Sequence, residues 1–123
     1  NRVGAERDID SFRERAKLLK VNMSMEGGEV IEEPSAAAAG HVLLESPFSV
    51  KIDAQDDADV MYFVKLMQKK FPGVVKFENI TMKRIRDLDA PLLRLIGSGT
   101  PAALVEAEIK MKWITMPSKE DVE

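Results

Sequence analysis

The chain has no cysteine and only one histidine, one tryptophan and one tyrosine in 123 residues. Without thiols there are no disulfides and no thiolate metal sites, so neither a reducing nor an oxidising compartment is indicated. The single histidine, His41, has no cysteine to pair with. As the base of a Ser-His-Asp triad it would sit at the loose margin of the folded part, and it is expected at the surface. No apolar run approaches the roughly 20 residues that cross a bilayer. No sign of charge dominates either: 18 basic and 21 acidic residues alternate closely, leaving no basic face broad enough for a nucleic-acid backbone. The opening Asn1-Arg2-Val3-Gly4 matches neither a signal peptide nor an initiator methionine. The chain is therefore expected to be a piece of a longer protein, with an upstream membrane span left open.

What is present is patterned. Ala5, Ile9, Phe12, Ala16, Leu19 and Met23 follow the heptad rhythm that lines one seam of a helix. A helix over residues 1–23 is predicted, either lying on its own domain or continuing upstream as a coiled coil. Residues 24–40 lose this rhythm. Gly27-Gly28, Pro34-Ser35 and four alanines before Gly40 read as a flexible connector, too short between proline and glycine for a stable helix.

A folded domain is predicted over 41–116. In "ESPFSVKI" (residues 45–52), Phe48, Val50 and Ile52 alternate with Ser49 and Lys51, a strand running through Ala54. Pro47, which has no ladder donor, marks an edge strand or a bulge. Asp56 or Asp57 can cap a helix whose Val60, Phe63, Val64, Met67 and Phe71 form one buried stripe, stopped by Pro72-Gly73. Val75 and Phe77 share one parity and Ile80 and Met82 the other, so a bulge near Glu78-Asn79 would return both pairs to one face. Asp89 and Pro91 open a short helix, or a short strand, closed by Gly97. Val105, Ala107, Ile109, Met111 and Trp113 alternate strictly with Glu106, Glu108, Lys110 and Lys112, giving a half-buried strand. Residues 117–123 are expected to be a disordered tail. The order strand, helix, strand, short helix, strand predicts an α+β, ferredoxin-like sandwich.

The candidate sites each have a plain structural reading. Asp53, Asp56, Asp57 and Asp59 lack the glycine and distal glutamate of a calcium loop, and capping accounts for them. Gly97-Ser98-Gly99-Thr100-Pro101 lacks the lysine of a phosphate loop and reads as a turn. The glutamates of the last strand lie among lysines, as a solvated charge ladder does. No catalytic, metal or cofactor-binding set emerges, and an enzyme is not expected. Contacts to partners are assigned to the seam residues Ile9, Phe12, Ala16 and Leu19 and to Trp113, which reads either as core or as a contact anchor, tryptophan being enriched where surfaces meet.

The heptad helix, the connector, "ESPFSVKI", "DVMYFVKLMQKKFPG", "VVKFENITMKRI" and the closing "ALVEAEIKMKWITM", in this order, resemble the periplasmic part of the PilO family of type IV pilus proteins. The related M-type proteins of type II secretion are similar in outline. The resemblance implies a bitopic inner-membrane component with a periplasmic coiled coil and a ferredoxin-like domain. It would pair with itself and with a PilN-like partner to align an assembly platform. Asp53-Ala54, where that family often has glycine, and a last strand poor in aromatics depart from the pattern. The alternative is a small-molecule regulatory module of the ACT-like kind, although its expected glycine between first strand and helix is missing here.

Overall fold

The computed structural model describes residues 2–31, 40 and 42–115. The predicted tail, His41 and most of the alanine-rich stretch lie outside these residues. The chain folds as α1 (Arg2–Ala16), β1 (Lys20–Met25), β2 (Glu29–Ile31), β3 (Leu43–Ala54), α2 (Asp57–Lys70), β4 (Val74–Arg84), α3 (Ala90–Gly97) and β5 (Val105–Thr115). This is an α+β architecture, an antiparallel sheet of five strands with three helices among the described residues. The strands lie in the order β1-β3-β5-β4, with β2 also paired to β3. Each half of the chain runs helix, outer strand, inner strand, and the inner strands β3 and β5 meet in the middle along eleven paired positions.

The buried cluster extends across the predicted boundary near residue 41. Ala5, Ile9, Phe12, Ala16 and Leu18 belong to the same buried cluster as Phe48, Val50, Ile52, Phe63, Met67, Ile109 and Met111. Burying these apolar side chains together stabilises more than leaving a second, smaller core, at roughly 25 cal/mol per Å² removed from water.

The first helix is also shorter than its heptads suggest. It ends at Ala16 because Lys17 takes a left-handed conformation, with φ of 60°, and the amide of Leu18 closes back on the carbonyl of Arg13 at 3.0 Å. That is a helix-terminating geometry usually given to glycine. Met23, the last seam residue, stands instead in β1, where Val21, Met23 and Met25 are half-buried and Lys20, Asn22 and Ser24 are exposed. Part of the predicted connector is thus sheet.

Pro47 lies within an inner strand, not at an edge. Its carbonyl accepts from the Glu26 amide at 3.0 Å, so its missing N–H points the same way, toward the outer strand. That is where the outer strand breaks: β1 pairs with Phe48–Asp53 and β2 with Leu43–Glu45. A proline without a donor is tolerated in the sheet because its neighbour leaves the ladder at that point.

The second half follows the sequence pattern closely. Asp56 caps α2, and Val60, Phe63, Val64, Met67 and Phe71 are all buried. The register of β4 shifts between Phe77 and Asn79, at the predicted bulge, so that Val75, Phe77 and Ile80 all pack toward the core. The stretch after Asp89 is a helix, with the Leu92 amide donating to the Asp89 carboxylate at 2.9 Å and Leu92 fully buried outside the main cluster.

Candidate functional site

The five residues assigned to partner contacts do not form one surface. Ile9, Phe12 and Ala16 are 4%, 5% and 3% exposed, and Phe12 meets Phe63 of α2 edge to face with ring centroids 6.4 Å apart. The seam therefore faces the chain's own core, because α1 lies against α2 and the sheet. Leu19 is 37% exposed but lies beyond the helix, its amide bonded to the Asp53 carbonyl at 3.0 Å.

Trp113 is also turned inward. It is 9% exposed, packs against Phe71 at 5.0 Å and donates its indole N–H to the Pro72 carbonyl at 2.7 Å. Gly73 permits this approach, since its φ is +82° and a Cβ there would lie 2.7 Å from the indole nitrogen. The tryptophan thus fixes the turn between α2 and β4.

The acidic run begins a helix. The Asp56 carboxylate accepts from the Ala58 amide at 2.9 Å, and that bond, followed by the Asp57 side chain, holds its pKa below the ordinary value. Asp59 is raised, first by desolvation and then by the Asp56 charge, against a smaller lowering by Lys17. Among the described residues no group of three or more His, Cys, Asp or Glu side chains is placed to hold a metal ion.

The face of the sheet away from α1 and α2 is polar and wet. Lys112 lies 2.9 Å from Glu45 of β3 and 3.2 Å from Glu78 in the bulge of β4. Those hydrogen bonds, Glu45 first, raise its pKa. Lys83 approaches Glu106 and Lys110 approaches Glu108, both at 3.8 Å. No polar or charged side chain among the described residues is buried, and a concavity of about 530 Å³ on this face is lined by Lys20, Lys51, Asp53, Lys83, Glu106 and Glu108, among others. Glu106 and Glu108 have lysines within reach and are open to solvent, which leaves their charges screened.

The outer edges of the sheet differ in how much unpaired strand they offer. β4 pairs only with β5 among the described residues, so one side of an eleven-residue strand carries backbone donors and acceptors with no partner strand. At the other edge, β1 and β2 offer six and three residues separated by a break. Sequence reasoning missed this contrast because strand order cannot be read from one strand's own alternation. The exposure of Lys76, Glu78, Asn79, Thr81 and Lys83 is the signal that accompanies it. No helix among the described residues is long and apolar enough to cross a membrane. No family model, no curated protein and no solved structure matches the chain.

Proposed function

We propose that this chain is a non-catalytic structural component of an envelope-spanning assembly platform of the type IV pilus or type II secretion kind. In this reading it is a PilO-like periplasmic domain of an inner-membrane protein that associates with itself and with a PilN-like partner. The observation that carries the proposal is the β4 edge, which has no partner strand among the described residues on its outer side. Strand order lends support: two helix-strand-strand halves with inner strands adjacent correspond to a ferredoxin-like sandwich entered at a helix, the domain type that the sequence resemblance implies. Burial of the seam moves the contact surface from α1 to the sheet edge. Small domains of this kind gain stability by association.

Sedimentation velocity over a range of concentrations, alone and with the periplasmic domain of a PilN-like protein, tests this. Concentration-dependent or partner-dependent growth in mass is expected. A chain that stays monomeric throughout and ignores the partner removes the proposal.

One observation favours the ACT-like alternative. A cleft of about 390 Å³ lies beside the β3–α2 turn, lined by Gln55, Asp56, Asp57, Leu88 and Leu104 among others. Asp56 is engaged as a helix cap, while Asp57, Lys83 and Arg84 also line the cleft. A metabolite panel that raises the melting temperature in proportion to ligand concentration would reverse the ranking.

A further inference from the structure

The β4 edge differs in charge from the chain around it. β4 itself carries three cations, Lys76, Lys83 and Arg84, and one carboxylate, Glu78, which faces Lys112, in a chain of net charge -3. This strip is one strand wide, too narrow to follow a duplex. Lysines and a bulge on an outer strand are common guards against pairing with another copy, and guards of this kind discriminate by sign. Two β4 edges laid together would place cations opposite cations, which is unfavourable. The other edge of a second copy offers six continuous residues, Lys20–Met25, whose one charged side chain is again a lysine. An extended segment rich in glutamate or aspartate meets neither obstacle.

Beyond the bulge, Asn79–Arg84 runs against β5 with no further shift in register. Ile80 and Met82 lie opposite Ile109 and Ala107, on the helix side of the sheet, while Thr81 and Lys83 lie opposite Glu108 and Glu106, on the polar side. An added strand has side chains alternating in the same way. Apolar residues would then cover Ile80 and the half-exposed Met82, and carboxylates would approach Lys83 and Lys76.

We propose that β4 is the docking edge for an extended segment of a different protein that alternates acidic with apolar residues and extends the sheet beside Asn79–Arg84. This inference rests on the structural-partner reading above and names the partner's chemistry at that edge. Backbone hydrogen bonds would supply affinity, and charge would supply the choice of partner.

The test is an NMR titration of the isotope-labelled chain with a short peptide alternating glutamate and valine, and with its lysine counterpart. The glutamate peptide is expected to shift the amides of Asn79–Arg84, to bind about tenfold more tightly than the lysine peptide, and to weaken as salt is raised. K76E/K83E, two exposed substitutions, is expected to invert that preference, and Thr81→Pro to weaken both peptides by interrupting the edge. Shifts confined to another surface, equal binding of the two peptides, no shift at millimolar peptide, or a β4-mediated dimer of this chain each overturn the inference. Sedimentation separates this failure from failure of the wider reading: a chain that assembles with its partner while β4 stays indifferent to both peptides loses only the acidic-strand assignment.

Discussion

The two halves of the molecule use the same plan and finish it differently. α1, β1 with β2, and β3 form the first; α2, β4 and β5 form the second. Each lays a helix on the sheet and places its second strand at the centre. The first half closes its edge by breaking it, at the point where Pro47 has no amide to give. The second half leaves its edge continuous and adjusts it with one extra residue, Glu78. A missing donor removes pairing, whereas a bulge bends a strand that remains able to pair. The half with the broken edge thus offers two short outer strands, and the half with the bulged edge offers one of eleven residues.

The largest expected effect tests whether the halves share one core. Phe12→Ala should destabilise the chain by about 3–5 kcal/mol, as truncation of a buried aromatic does, and Phe63→Ala by a similar amount. Both should appear as a single transition in urea denaturation followed by circular dichroism. A Phe12→Ala chain that keeps its main transition and merely loses helix signal would separate the halves.

Next in size is the turn that belongs to the second half alone. Gly73→Ala should cost about 2 kcal/mol, because the methyl group would be strained at φ of +82° and would crowd both the Trp113 indole and the Ile114 carbonyl. The midpoint of thermal unfolding reports it, and a neutral substitution would mean that the indole contact is dispensable.

At the matching junction of the first half the sign reverses. Lys17→Gly should stabilise by about 1 kcal/mol, since a side chain held in the left-handed region is relieved of strain. Loss of stability would show that Lys17 contributes something its conformation costs.

The smallest effect is one of pH. Asp56 has a folded pKa below its unfolded value, so its contribution is present above the unfolded value of 3.8 and is lost as pH falls through the folded pKa. Asp59 is raised, so its ionised form opposes folding, and this opposition is relieved as pH falls through its folded pKa. Comparing wild type with Asp56→Ala and Asp59→Asn should therefore give opposite pH slopes below about pH 5; parallel slopes would contradict both assignments.

Legibility also divided along this line. β5, and β3 from Phe48 onward, are plain because there an inner strand has one buried and one more exposed face, so alternation is clear. α2 was plain because its stripe is followed by Pro72-Gly73. In the first half Leu19 and Met23 fit a helical spacing as well as Val21 and Met23 fit a strand. The residue that decides between them is Lys17, whose side chain gives no hint of the backbone it adopts. The seam itself is legible, but periodicity states only that a face is buried, not what buries it. Ile9 and Phe12 would have shown the same pattern against a neighbouring protein as they do against Phe63. The candidate contact edge was least legible, since it depends on which strands are neighbours.

The placement of Lys112 has a consequence for how β4 is kept in alignment. One ammonium group grips a carboxylate from the central strand on one side and the extra residue of the outer strand on the other. If β4 slid by one position, Glu78 would be carried out of reach and Ile80 would turn to water, so a charged clasp and a greasy one would fail together. The register of β4 is thus held by β5 and β3 together, independently of anything along its outer side.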